Sequence, residues 1–564
     1  MIIKSIDIDN YRNFSNAKID FSENINFIVG ENNIGKTNIL NLIDIIVSGR
    51  NFEETDFTTT DKGINVIFSL LLNDDELGVF GDCFDPSNKN IVNISICQNA
   101  PEDIVSYKHK ESGTKISRQT LIKNINFISY DSLRNPKVEL NFYKTKGAGL
   151  FLNYLIEKYL SLDTGSPFLV EEKIDKINKY LQTYLDKLSC FNHFGIRSGP
   201  EESTLDILSQ IFKLRDGNNI ELSKSGYGIQ FNILITLSIL ERVVRYVKAL
   251  DKDSSSFNCI ISLDEPEIHL SPFYQRSTID EIQLMASGKD ENFNNILDEL
   301  FGIKKFSAQI IVVTHSREII GNNYKNISRL YFENSVVKIV SGSNLTIGCS
   351  GEIKHWYKEL TYVKEAMFAK KVILVEGDSE QAAVPCFATK MGINLNEHSV
   401  AVIKTSGADT FPPLAEMFKS FKIEPIIIID NDKPDIDEKL EKITSNVYRT
   451  RTKCFDSEIA ECLFAEHVDL LLSILNENSS DGQNKIIQSS QIRKYKKNGL
   501  VPNSLEEKDY KFSDLESTDI TLKYLYSIFF ALRKGIILGQ FIGENCPKEN
   551  IPSCYREAII KAIE

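Results

Sequence analysis

The residues Gly30-Glu31-Asn32-Asn33-Ile34-Gly35-Lys36-Thr37 follow the apolar run Ile25 to Val29 and read G-x-x-x-x-G-K-[ST]. In such a loop the backbone N–H groups from Gly30 to Lys36, Asn32 and Asn33 among them, wrap a β-phosphate at the positive end of the next helix. Lys36 reaches the β- and γ-phosphates, and Thr37 offers its hydroxyl to Mg²⁺. A second, acidic set begins at Val375-Glu376-Gly377-Asp378-Ser379-Glu380 and continues at Asp430-Asn431-Asp432, after the run Ile426 to Ile429. Carboxylates at the ends of neighbouring strands converge, which suits Mg²⁺ or Mn²⁺ held against a phosphodiester. Two such ions, ~3.5–4 Å apart, would serve the attacking and leaving oxygens. Glu380, one helical turn beyond Glu376, suits the second ion. Asp409 and Glu458 are further candidate ligands, although acids near strand ends also arise for structural reasons.

Two more strand ends complete the first set. Ile260-Ile261-Ser262-Leu263 runs into Asp264-Glu265-Pro266-Glu267, and Ile310-Ile311-Val312-Val313 runs into Thr314-His315-Ser316. Asp264 fits a magnesium ligand and Glu265 the base that orients attacking water. His315 is placed to sense a γ-phosphate. Gln98 is a candidate for the glutamine that some ATPases place near the metal.

The order of these motifs resembles the ABC-type ATPases of the RecF and SMC group. Asn10-Tyr11-Arg12-Asn13-Phe14 is similar to their N-terminal aromatic-Arg element, which brings Arg12 into the nucleotide set. Leu222-Ser223-Lys224-Ser225-Gly226-Tyr227-Gly228 resembles their signature loop, which implies that Ser225 and Gly226 contact a γ-phosphate held by a second subunit. No long coiled coil divides the chain, unlike SMC proteins. Glu376, Gly407, Asp430 and Asp432 resemble in order and spacing a Toprim domain. An ABC-type ATPase followed by a Toprim domain is the arrangement of the OLD (overcoming lysogenization defect) family. Arg533-Lys534-Gly535 is similar to that family's late Lys-Gly element, where Lys534 would stabilise charge on the scissile phosphate; an ordinary surface lysine is the alternative. The resemblance implies an ATP-regulated, metal-dependent DNA endonuclease of bacterial antiphage defence. It would be dimeric or larger, working beside a helicase-like protein or a retron RNA–DNA element. A RecF-like ATP-gated DNA clamp with an inactive Toprim domain and an RNA-directed nuclease are the competing functions.

The elements that must carry these residues are legible in outline. Strands are expected at Ile2 to Ile8, Ala17 to Phe21, Ile25 to Val29, Ile64 to Leu72 and Ile91 to Cys97, with a helix after Lys36. The fold class is α/β: an ATPase domain over residues 1–365 and a Rossmann-like Toprim domain over 366–564, with strands at Lys371 to Val375, Val400 to Ile403 and Ile426 to Ile429. Leu152, Leu155, Ile156 and Tyr159, then Ile174, Ile177, Leu181, Tyr184, Leu185 and Leu188, mark two amphipathic helices within an insertion over residues 150–214. Its apolar stripes are offered as a dimerisation surface, with packing into their own domain as the alternative.

Composition sets limits. A chain of 564 residues with 42% hydrophobic content is long enough for about two to four domains with large cores. No apolar run approaches the ~18 residues of a membrane span. The start, Met1-Ile2-Ile3-Lys4-Ser5, does not read as a secretory signal. The ten cysteines form no C-x-x-C pair, so buried thiols in a reducing cytoplasm are expected rather than zinc. A net charge of −13 argues against indiscriminate coating of nucleic acid. Arg493-Lys494-Tyr495-Lys496-Lys497 is the best local strip for phosphate, against the commoner fate of a charge run as a solvated loop.

Overall fold

The computed structural model describes residues 1–130, 148–162, 171–200, 212–249, 255–268, 270–347, 360–405, 407–431 and 436–564. The chain packs as two compact units, Met1–Asn344 and Leu345–Glu564. The sequence draws that boundary later, between residues 365 and 366. No helix among the described residues is long and apolar enough to cross a membrane.

The first unit is built on two sheets. Strands β1 (Ile2–Asp9), β2 (Ala17–Asp20), β4 (Ile64–Leu71), β5 (Ile91–Gln98) and β6 (Ser106–His109) form an antiparallel sheet in the order β2-β1-β4-β5-β6. Strands β3 (Ile25–Gly30), β7 (Phe127–Tyr130), β10 (Ser256–Asp264), β11 (Lys305–Val313), β12 (Ile327–Glu333) and β13 (Val336–Ser341) form the other, in the order β13-β12-β3-β11-β10-β7. In this second sheet only the β12–β13 pairing is antiparallel. Parallel strands are covered on both faces, which is why β3, β10 and β11 read as continuous apolar runs rather than alternating ones. Every residue of β3 is buried. Parallel registry brings the carboxyl ends of β3, β10 and β11 out on one edge, with Asp264 opposite Val313. Ile39, Leu42, Ile43 and Ile46 of the helix Lys36–Ser48 are wholly buried in a core shared with both sheets.

The segment over residues 150–214 is only partly helical. The helices Ala148–Leu162 and Glu171–Leu185 form as expected, but Arg197–Pro200 (β8) and Phe212–Arg215 (β9) pair as an antiparallel ladder. Leu181 and Leu185 are 0% exposed within this unit. They are core residues, not the assembly surface offered by the sequence, because their stripe packs inward. Phe151, Leu152, Leu155 and Ile156 are buried likewise, and the Tyr154 hydroxyl donates to the Leu300 carbonyl at 3.0 Å.

The second unit holds the parallel sheet β15-β14-β16-β17, made of β14 (Lys371–Val375), β15 (Val400–Lys404), β16 (Glu424–Ile429) and β17 (Val447–Arg449). Helices Asp378–Lys390, Phe455–Phe464, Val468–Asn478, Ile520–Leu532, Ile536–Asn545 and Ser553–Ile563 share one core with the sheet. Helix Asp378–Lys390, which follows β14, lies against helix Ile536–Asn545 in a close glycine-mediated crossing. A Cβ at Gly539 would collide with the Ser379 backbone, and one at Gly543 would sit 2.9 Å from the Ala383 carbonyl oxygen. This approach sets where the residues just before the second helix, Lys534 included, meet the sheet edge.

Candidate active sites

The phosphate loop takes the form its sequence demands. Gly30 has φ 144° and Gly35 φ 98°, in the region that favours glycine. A Cβ at Gly30 would come within 2.6 Å of the Leu330 carbonyl oxygen on β12, so the close approach also requires glycine. Asn33 adopts φ 59°, a left-handed conformation that asparagine tolerates. Lys36 opens the helix, and its ammonium donates to the carbonyls of Gly30 (3.1 Å) and Glu31 (2.7 Å). Burial lowers the Lys36 pKa to about 8, although Glu265, Asp264, Glu267 and Glu31 all oppose the shift. Asn13 donates to the Ile34 carbonyl at 2.6 Å, and Arg12 reaches Asn38 at 2.8 Å and Asp56 at 2.9 Å. The segment after β1 thereby braces the loop and its helix, with the Arg12 side chain part-exposed at the rim.

The edge residues of β10 and β11 meet this loop. The Thr37 hydroxyl donates to Asp264 Oδ1 at 3.1 Å, so the two expected magnesium ligands already touch. Glu265 adopts φ 48°, and its Oε1 lies 3.3 Å from His315 Nε2. Glu267 accepts from the Thr314 hydroxyl at 2.9 Å and from the His315 backbone N–H at 2.6 Å. It fastens the end of β11 to the turn after β10, a role its sequence position alone did not reveal. Burial and then Lys36 lower the His315 pKa, with Glu265 opposing.

Other expected residues lie differently. Gln98 is buried and spends its amide on Phe52, accepting from the backbone N–H at 2.8 Å and donating to the carbonyl at 2.9 Å. It braces the antiparallel sheet, and the metal-proximal glutamine is not this residue. The Ser225 hydroxyl turns inward and donates to Asp216 Oδ2 at 3.2 Å, whereas Gly226 is exposed with open space beside it. Of that pair, only Gly226 presents itself outward.

In the second unit, acids gather at the carboxyl edge of the parallel sheet. Glu376 follows β14, and Asp430 follows β16 and is buried, its Oδ1 accepting from the Phe455 N–H at 3.0 Å. Glu380 is buried too; it accepts from the Gly377 N–H and from the Tyr555 hydroxyl, each at 2.8 Å. Asp456, at 0% exposure in the first turn of helix Phe455–Phe464, pairs with Lys534 Nζ at 3.0 Å. Its Oδ1 is buried with no hydrogen-bond partner. Burial, then Glu380 and Glu376, drive the Asp430 carboxyl well up; burial and Glu376 do the same to Glu380. Burial opposes the ammonium of Lys534, but Asp456 and Asp430 outweigh it and raise its pKa.

Asp456 and Tyr555 were missed in the sequence. Asp456 stands two residues before Glu458, one of the further candidate ligands, yet Glu458 spends its oxygens on Arg451 (3.2 Å) and the Thr452 N–H (2.7 Å). Asp409 is exposed in the turn Ala408–Thr410 after β15. Asp432 lies outside the described residues. Lys534 sits in the break between helices Ile520–Leu532 and Ile536–Asn545, not on a helix. Among the described residues no group of three or more His, Cys, Asp or Glu is drawn together tightly enough to share one ion. The donor chemistry nevertheless fits a hard divalent cation: the acids offer only oxygen, and Asp456 Oδ1 is buried with no hydrogen bond among the described residues.

These geometries define an α/β protein with a P-loop ATPase unit followed by a Toprim unit. Residues 1–164 and 169–320, more than half of the chain, match the family model described as AAA ATPase domain, and residues 367–432 match the TOPRIM domain of overcoming lysogenization defect protein-like proteins. The chain therefore belongs to the AAA ATPase domain family, with an OLD-like TOPRIM domain behind the ATPase. It is 23% identical over 345 residues to the Old nuclease of Escherichia phage P2, covering 58% of this chain and 51% of that protein. To the endonuclease GajA of Bacillus cereus (strain HuB5-5) it is 24% identical over 548 residues, covering 78% of each. The chain thus spans about half the length of the first relative, at 51%, and more of the second. Among solved structures, an SMC head bound to the C-terminal winged-helix domain of ScpA is 17% identical, with a TM-score of 0.39, covering 60% of this chain and 98% of that one.

Proposed function

We propose that this chain is an ATP-regulated, divalent-metal-dependent DNA endonuclease acting in the cytoplasm, in antiphage defence, as a homodimer or larger assembly. The observation that carries the reading is the acid pocket: Glu376, Glu380, Asp430 and Asp456 at one sheet edge, with Lys534 as their counter-charge. The relatives named as nucleases support it. Glu376, Asp430 and Asp456, joined by Asp432, would hold Mg²⁺ or Mn²⁺. Such an ion polarises a phosphodiester and lowers the pKa of bound water. The protein's own residues do the rest. Gly377 and Tyr555 fix Glu380, the Phe455 N–H fixes Asp430, and Asp456 holds the Lys534 ammonium where negative charge grows on the scissile phosphate.

In the first unit the loop N–H groups and Lys36 would bind the ATP phosphates, and Thr37 and Asp264 would bind Mg²⁺. Glu265 would orient attacking water beside His315. Gly226, exposed and with open space beside it, would be the residue to complete a site in a second subunit. Phosphodiester hydrolysis is downhill, so ATP controls cutting rather than driving it. Helicase-like proteins or retron RNA–DNA elements are the expected partners.

The test is to incubate the full chain with supercoiled plasmid and with RNA, with Mg²⁺, Mn²⁺ or EDTA, with and without ATP. Metal-dependent nicking or linearisation of plasmid, altered by ATP, is the expected result. Cutting that persists in EDTA, or that is confined to RNA, would refute the reading.

A further inference from the structure

The basic segment Arg493 to Lys497 is not a loop. It forms the second half of helix Ser489–Lys497, which contains no acid. Ile492 is buried, and Tyr495 packs partly against the core of the second unit, so one face of the helix is fixed. The cations then divide into two sets. Arg493 Nε lies 2.9 Å and Lys496 Nζ 3.6 Å from Glu507, which offsets part of the charge on that side. Lys494 and Lys497, three residues apart and so on one face, are both exposed. Among the described residues neither makes an ion pair; Lys494 Nζ lies 5.5 Å from the centre of the Tyr495 ring.

This helix borders the acid pocket. Burial and then the charge of Asp456 raise the Tyr495 hydroxyl pKa, with Lys534 opposing. Lys453, three residues before Asp456, donates to the Asn498 carbonyl just past the helix end. An acid pocket in a chain of net charge −13 repels a polyanion. Unneutralised lysines at its rim are what would let a phosphate backbone approach.

Resting on the nuclease reading, we propose that Lys494 and Lys497 form the surface that grips the phosphate backbone of duplex DNA and presents it to the acid pocket. Arg493 and Lys496 serve the fold through Glu507.

The test measures binding apart from cutting, by anisotropy of a short labelled duplex across a salt series, with full-length Asp430→Ala as parent. Adding Lys494→Ala and Lys497→Ala should weaken binding about tenfold and flatten the slope of log affinity against log salt by about two, one for each phosphate that no longer meets a lysine. Lys494→Arg with Lys497→Arg should restore both, and Arg493→Ala should leave the slope at the parent's value. Parental affinity and slope in the double alanine variant would overturn the proposal. So would a parent that binds no duplex, or that binds RNA in preference. If the wild-type chain cuts nothing while the lysine variants still lose duplex binding, the nuclease reading falls and this surface stands. If the wild type cuts and the lysine variants bind normally, the reverse holds.

Discussion

The phosphate loop of the first unit and the acid pocket of the second treat charge in opposite ways. Around the loop four of the charged or polar side chains meet partners from the protein: Lys36 two carbonyls, Thr37 Asp264, Glu265 His315, and Glu267 both Thr314 and the His315 N–H. In the pocket Glu376, Glu380, Asp430 and Asp456 have, among the described residues, the ammonium of Lys534 as counter-charge, and the carboxyls of Asp430 and Glu380 are driven up by burial and by neighbouring acids. Like charges held together in a dry site cost stability, and such groupings cluster at functional sites. The loop has the form of a phosphate cradle, and under the proposed reading the pocket would take a cation. Two separable chemistries would then follow, one on a nucleotide and one on a phosphodiester.

Breaking either set should leave the other intact. In the first unit the largest expected effect on turnover is from Glu265→Gln, which removes the group that orients water but preserves its shape: ATP turnover should fall about a hundredfold or more while ATP still binds. Turnover and nucleotide affinity measured on the same sample check this.

Lys534→Ala should be more damaging than loss of a surface lysine, because it strands Asp456 at 0% exposure without its counter-ion. Breaking a buried pair costs ~3–5 kcal/mol, discounted here because the lysine is half-exposed. Cutting should fail and the melting temperature drop, whereas Lys534→Ala with Asp456→Asn should recover stability without recovering cutting. Calorimetry and plasmid nicking on the two variants separate these effects.

Leu181→Ala should destabilise the first unit by ~2–5 kcal/mol, the range for a buried leucine. Size-exclusion chromatography should show no soluble smaller species, because Leu181 is core and not interface. The smallest effect belongs to Tyr555→Phe. It removes the hydroxyl that donates to Glu380 and should cost ~1–3 kcal/mol, with a loss in cutting and none in ATP turnover.

The first site was legible because its parts are local. Strand, glycine loop and helix are contiguous between Ile25 and Ser48, and the other strand ends carry their acids or histidine directly after apolar runs. Glu376 and Asp430 were legible for the same reason. Asp456 and Tyr555 were not, since nothing nearby in sequence marks them. Asp456 counts only because Lys534 packs onto it, and Tyr555 reaches Glu380 across 175 residues. Helical periodicity identified the stripe with Leu181 and Leu185 but could not say what it faces. Ser225 sits where a signature loop would put it, yet Asp216 draws its hydroxyl inward, a long-range contact no motif encodes.

The most direct measurement compares DNA cutting and ATP turnover in Asp430→Ala, full-length, with Mg²⁺ or Mn²⁺ present. Removing one acid from the pocket should abolish cutting, a defect of several kcal/mol in the transition state, while ATP turnover stays at the wild-type rate. Wild-type cutting by Asp430→Ala would show that the pocket is not the nuclease site and contradict the account at its centre.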